Sequence, residues 1–165
     1  MNERFGEDVK KLQELTEGID FCMLTTMDGG HLRSRPMSTQ QVQTDGMIWF
    51  FTSDNTHKIE EIEAQPKVNV AYAKPDDNTY VSVSGTAEVS KDRAKIEELW
   101  NPILKAWFPD GLDDPSLCLL KINIDQAEYW EASDSKIVRS LKYLAAAATK
   151  GAVDVGSHGT VGVNR

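Results

Sequence analysis

What most limits the fold open to this 165-residue chain is its succession of short strand-like runs set apart by turn residues. Residues 80–89 alternate cleanly, with Val81 and Val83 on one face and Tyr80, Ser82 and Ser84 on the other. Val68, Val70 and Tyr72 repeat the pattern, and residues 21–27 form another run. Asp28-Gly29-Gly30 supplies hairpin chemistry leading into a strand from Leu32. That strand is expected to continue through Gln41-Val42 to a turn at Thr44-Asp45-Gly46, ahead of the apolar run 47–52. Residues 117–130 are long for one strand and read as two segments with a turn or bulge near Asp125-Gln126. About six short strands with helices around them predict a mainly β fold, a small antiparallel barrel or sandwich. Closure would remove the edges that such strands otherwise expose.

The helices are read from period and punctuation. Phe5, Val9, Leu12 and Leu15 predict an amphipathic helix over residues 3–17 that Gly18 ends. A short helix follows from Lys58 to about Ala64, stopped by Pro66. Ser90 is the expected N-cap of a third, whose stripe holds Ile96, Leu99, Trp100, Ile103, Leu104 and Trp107, with a kink or break at Pro102. Trp100 and Trp107, seven residues apart, are expected in the core. A last helix is expected after Ser133, carrying Ile137, Leu141 and Leu144. With 40% hydrophobic residues, residues 1–150 suit one domain; the glycine-rich 151–165 reads as a flexible tail, or an arm ordered only against a partner.

A formal charge of −8 argues against nucleic acid, which needs a basic field. The start of the chain has no apolar signal core, and no segment approaches the ~18 apolar residues of a membrane span. A cytoplasmic protein is expected. Cys22 and Cys118 lie in apolar runs without CxxC spacing and read as reduced core residues, and no zinc spacing appears. Without a dinucleotide fingerprint, a nucleophile elbow or any compelling general acid or base, chemistry is assigned to a cofactor.

One stretch suggests what that cofactor carries. Arg33, Arg35 and Met37 share a strand face, while Ser53-Asp54-Asn55-Thr56 breaks the 47–52 run just before a helix headed by His57 and Lys58. The first N–H groups of a helix lack intrahelical partners and favour an anion. Lys58 and His57 oppose the helix dipole there unless a bound dianion lies between them and the amides. Thr52, Ser53 and Thr56 add hydroxyls, and Arg35 offers a fork for a phosphate. Solvated arginines beside an ordinary charged helix end would give the same residues.

The order of Arg33-Ser34-Arg35-Pro36-Met37, Trp49-Phe50-Phe51-Thr52, Lys58 heading a helix and Pro66 before a valine strand resembles the FMN-binding split barrels of the pyridoxamine 5′-phosphate oxidase-like superfamily. Residues 80–85, 106–111 and 127–130 look like its bacterial general stress protein branch. The resemblance implies a six-stranded antiparallel split β-barrel that forms a homodimer, with FMN in a cleft between protomers. It implies that Arg35, Thr52, Thr56 and Lys58 hold the FMN phosphate, with His57 where the oxidase has an arginine. The backbone of Pro36, Met37 and Ser38 would follow the isoalloxazine, and Trp130 matches an aromatic near it. The oxidase's arginine-rich C-terminal motif is replaced here by residues 133–139, and a glutamine directed at the flavin by Tyr80, so vitamin oxidase activity is not expected. The implied activity is flavin-dependent redox chemistry on a small molecule. The alternatives are a module that stores or senses flavin without turnover, the same fold with deazaflavin or haem, and a ligand-free barrel.

Overall fold

The computed structural model describes residues 3–131 and 157–161. An N-terminal helix α1 (Glu3–Thr16) precedes the hairpin of β1 (Phe21–Asp28) and β2 (His31–Ser38). Then come β3 (Met47–Ser53), α2 (His57–Ala64), β4 (Lys67–Lys74), β5 (Thr79–Ser90), α3 (Arg93–Leu99), β6 (Leu117–Glu131) and β7 (Ser157–Val161). The strands are antiparallel in the order β2-β1-β4-β5-β6-β3, with β7 beside β6. The six-strand path is the split barrel that the family resemblance implies. Its two end strands, β2 and β3, are joined by no ladder among the described residues.

Local chemistry explains these elements. Asp28 pairs with His31 across a two-residue loop, and Gly29 and Gly30 both take positive φ, 54° and 87°, as the hairpin demands. In β5, Thr79, Val81, Val83, Gly85 and Ala87 point inward, alternating with Tyr80, Ser82, Ser84, Thr86 and Glu88. β3 shows no alternation because both its faces are covered: six consecutive residues from Met47 to Thr52 are buried. Ile48 and Phe50 enter the main core with Leu24, Val70, Val83 and Leu120. Met47, Trp49 and Phe51 enter a second cluster with Ile96, Leu104, Leu117 and Leu119. Cys22 and Cys118 are buried thiols, pushed up by that burial to about 12 and about 11.

Several expectations are corrected. β2 ends at Ser38 rather than continuing through Val42; residues 39–46 form a connection in which Gln43 N–H donates to the Met47 carbonyl. Asp92, not Ser90, caps α3, accepting from the amides of Ala94 and Lys95, while Ser90 closes β5. α3 stops at Leu99, and Pro102–Ala106 is a separate 3-10 turn, so the seven-residue spacing no longer places Trp107 on the stripe with Trp100. Trp100 packs on Phe51, ring centroids 5.7 Å apart, whereas Trp107 is 50% exposed. β6 is one 15-residue strand with a bulge at the expected place, since Ser84 pairs with Gln126 and Gly85 with Ile124.

That length gives β6 two uses: β3 lies along residues 117–123 and β7 along residues 127–131. β7 comes from the segment read as a tail, and its Val161 is buried in the core. The helix expected after Ser133 lies outside the described residues. None of the described helices is long and apolar enough to cross a membrane.

Candidate functional site

The gap between the two end strands is a cavity of about 280 Å³. Pro36, Met37 and Ser38 of β2 form one side, and Phe51, Thr52 and Ser53 of β3 the other. Thr56 and Lys58 close its polar end, while Phe21, Leu104, Trp107 and Phe108 close its apolar end. A second cavity of about 410 Å³ continues past Phe21, Ser38 and Trp107 toward Asp20, Gln40 and Asn101. Seven of the residues anticipated from the sequence therefore meet in one place: Pro36, Met37, Ser38, Thr52, Ser53, Thr56 and Lys58.

At the polar end, Lys58 Nζ donates to Thr52 Oγ1 at 2.9 Å and to Thr56 Oγ1 at 3.2 Å. It has no carboxylate partner among the described residues. Burial, then the nearby Arg35, hold its pKa below the usual lysine range. Thr56 stands at the N-cap of α2 but makes no side-chain cap; its hydroxyl donates to the Ser53 carbonyl at 2.9 Å. The Ser53 hydroxyl pairs with that of Ser116 at 2.6 Å. A partly desolvated ammonium, three hydroxyls and the uncapped first turn of a helix therefore share one end of the cavity. Such a set suits a phosphate.

Arg35 and His57 are placed differently from the expectation, because both are held by carboxylates. Arg35 Nη2 donates to Glu61 Oε2 at 2.7 Å, and its Nη1 to Thr26 Oγ1 at 2.7 Å. Glu61, on the inner face of α2, is 4% exposed and also accepts from the Thr26 hydroxyl. Arg33 Nη1 lies 3.4 Å from both Glu61 Oε1 and Asp28 Oδ2. His57 Nε2 lies 3.2 Å from Asp28 Oδ1 and 3.5 Å from Glu61 Oε1, and its Nδ1 3.0 Å from Glu60 Oε2. These carboxylates raise the His57 pKa. Donor atoms of Asp28, His57 and Glu61 lie within 4.8 Å of one another, but Arg33 already stands against two of the three residues.

At the apolar end, Phe21 and Trp107 meet edge to face with centroids 6.1 Å apart, and both keep about half their surface open. An aromatic ring could lie against them. Trp130 is elsewhere: it pairs with Tyr80 across β5 and β6 on the outer side of the sheet, and does not line the cavity. The sequence reading missed Glu61 as the partner of Arg35, and Phe21 and Trp107 as a cavity wall. Pro102, which separates Trp107 from the helix, was the available signal for the latter.

The family model described as "Pyridoxamine 5'-phosphate oxidase like" matches residues 7–154. General stress protein 26 of Bacillus subtilis (strain 168) is 31% identical over 133 residues, which cover 78% of this chain and 92% of that protein. Protein bli-3 of Neurospora crassa is 28% identical over 134 residues, 74% of this chain but 64% of that longer protein. Among solved structures, the general stress FMN/FAD binding protein of Xanthomonas citri is 32% identical with a TM-score of 0.66, covering 78% of this chain and 92% of that chain.

Proposed function

The chain belongs to the pyridoxamine 5′-phosphate oxidase-like family, with the general stress protein 26 group as its likeness, and from that premise we propose that it binds FMN in the gap between β2 and β3. The observation that carries the proposal is Lys58, a half-buried cation with hydroxyl partners and no carboxylate, at the polar end of a cavity whose other end is aromatic. The residues present fit the cofactor. Lys58, Thr52, Ser53 and Thr56 would hold its phosphate, the β2 backbone from Pro36 to Ser38 would run beside its ring, and Phe21 and Trp107 would exclude water. Arg35 and His57 border the polar end through their carboxylate partners and contribute charge. A bound flavin supplies one- and two-electron redox chemistry, and the protein supplies binding and orientation.

Redox turnover on a small molecule is the activity we assign. Retention of the flavin for storage or sensing is the second reading, favoured by a described lining whose one titratable side chain, Lys58, is engaged by the hydroxyls of Thr52 and Thr56. Phe21 and Trp107 at the apolar end each keep about half their surface open, so one protomer encloses the phosphate better than the ring. We therefore assign a homodimer in which a second copy completes the cleft. Trp130, on the outer side of the sheet, would reach the flavin only from that second copy.

Absorbance of the purified protein and titration of its flavin-free form with FMN, FAD and riboflavin test the proposal. FMN is expected to exceed riboflavin in affinity, and Lys58→Ala to remove about 1.5–3 kcal/mol of that preference, roughly tenfold to a hundredfold. Equal affinity for FMN and riboflavin would overturn the phosphate site. A deazaflavin or haem spectrum would replace the cofactor, and NADH consumption above the free-flavin background separates turnover from storage.

A further inference from the structure

We propose that the second cavity, of about 410 Å³, is a subsite for a flat aromatic molecule with a cationic, hydrogen-donating head, an amidinium or an ammonium, and that it turns away phosphate esters. The class of ligand is read from that cavity alone. Its role, seating the molecule that exchanges electrons with the flavin, rests on the flavin reading.

The apolar half of the cavity comes from a break in the chain. α3 stops at Leu99, and Pro102 opens the separate 3-10 turn Pro102–Ala106. Leu104 stays in the second core cluster, but Ile103 and Trp107, which an unbroken helix would have laid on the same stripe, are left 71% and 50% exposed at the cavity edge. Phe21 joins them from the start of β1, and Phe21, Ser38, Leu104 and Trp107 line the first cavity as well. An edge-to-face aromatic pair with half its surface open suits a third flat ring. The face of Trp107 also attracts a cation.

The polar half lies where β1 begins and β2 ends. The Thr39 amide donates to the Asp20 carbonyl at 3.0 Å and the Thr39 hydroxyl to the Ile19 carbonyl, so the strand ends are tied beyond their last rung, Phe21 with Ser38. That tie sets Asp20 and Gln40 on one rim. The Asp20 carboxylate and the Gln40 side-chain amide have no partner among the described residues. Asn101 Oδ1 accepts from the Ile103 amide at 3.0 Å, which leaves the donor end of that side chain unused. The rim therefore offers a carboxylate and two side-chain amides, and among the described residues no Lys, Arg or His lines it. Lys58 stands at the far end of the first cavity. The two ends of this continuous hollow thus differ in sign: a phosphate belongs with Lys58 and a cation with Asp20. A phosphate ester seated at the Asp20 rim would face a carboxylate with no counter-ion.

The experiment uses the full chain and three planar probes of one shape and three charges, benzamidine, benzamide and benzoate. Binding is followed by NMR through the backbone amides of Asp20, Phe21 and Gln40 and the indole of Trp107. The expected order of affinity is benzamidine, benzamide, benzoate, with shifts centred on those groups. Asp20→Asn, checked for cooperative unfolding, should weaken benzamidine roughly threefold to fivefold, the scale of an ion pair at an exposed carboxylate, and leave benzamide within about twofold of its wild-type affinity. Trp107→Ala should weaken benzamidine and benzamide alike. Equal affinities for the three probes, a preference for benzoate, or benzamidine binding that Asp20→Asn does not change overturns the proposal. Shifts centred on Lys58 overturn it too. In flavin-loaded protein, benzamidine is expected to move the flavin absorbance bands, because Phe21 and Trp107 line both cavities. A flavin spectrum that saturating benzamidine leaves unmoved overturns the seating role. Protein that takes up no flavin fails the flavin reading alone, and the three probes on that same protein still decide the class of ligand.

Discussion

His57 sits among three carboxylates, Asp28, Glu60 and Glu61, with the Arg33 guanidinium opposing them. Hydrogen bonds to Asp28 and then Glu60 raise its pKa above the unfolded value, while Asp28 is lowered by the same pairing. A group whose folded pKa is raised stabilises fully below its unfolded pKa, and that contribution is lost as pH rises through the folded value. The exposure of the ring keeps the effect small. We expect an imidazole pKa above the usual ~6.5 by NMR titration, and a urea midpoint that falls more steeply between about pH 6 and 8 in wild type than in His57→Gln. Parallel pH profiles would refute the pairing. The places of Lys58, Thr52 and Thr56 beside one another were legible in the sequence because a strand passing into a helix fixes where they stand. Glu61 was not, because an acid within a short helix reads as solvated until the packing of α2 against β1 shows which face turns inward.

Among the elements, strands were more legible than helix ends. Period-two alternation located β4 and β5, and an apolar run ended by turn residues located β1, each within about a residue or two, the usual uncertainty of such boundaries. The break expected at Pro102 is where the structure has it, but α3 ends before it at Leu99, and the apolar spacing from Ile96 to Trp107 does not show that the second piece turns Trp107 off the stripe. β7 was not legible because Gly159 interrupts any strand pattern, yet the glycine is what lets the strand dock: a Cβ there would meet the Tyr129 hydroxyl at 2.7 Å and its ring at 2.8 Å. Gly85, opposite the β6 bulge, is tighter still, with a Cβ falling 2.5 Å from the Asn123 carbonyl and 2.8 Å from Ile122. Gly85→Ala is expected to cost about 1–3 kcal/mol in chemical denaturation, as other overpacked cores do. Gly159→Ala, at the end of the sheet, should raise amide exchange in β7 while leaving β4 unchanged. An unchanged denaturation midpoint in Gly85→Ala would contradict the register of β5 on β6.

At the scale of the whole molecule, the mainly β character followed from strand count and turn spacing, but the place where the barrel stays open did not. Sequence periodicity says which face of a strand is apolar and nothing about which strands fail to meet. Because β2 and β3 end the strand order unpaired with each other, their facing backbones lack the rungs that fasten every other neighbour. Whatever occupies the gap becomes part of the frame. An occupant spanning Ser38 to Lys58 would act as the missing stitch, slowing the breathing of both end strands together rather than of one loop. Added FMN is expected to slow amide exchange in β2, β3 and the first turn of α2 at once, and to raise the melting temperature with ligand concentration as mass action requires. Protection confined to α2 would mean a ligand held at one edge. Protection across both strands would mean that the protein carries its ligand as a structural member, so that filling the site and finishing the barrel are one event.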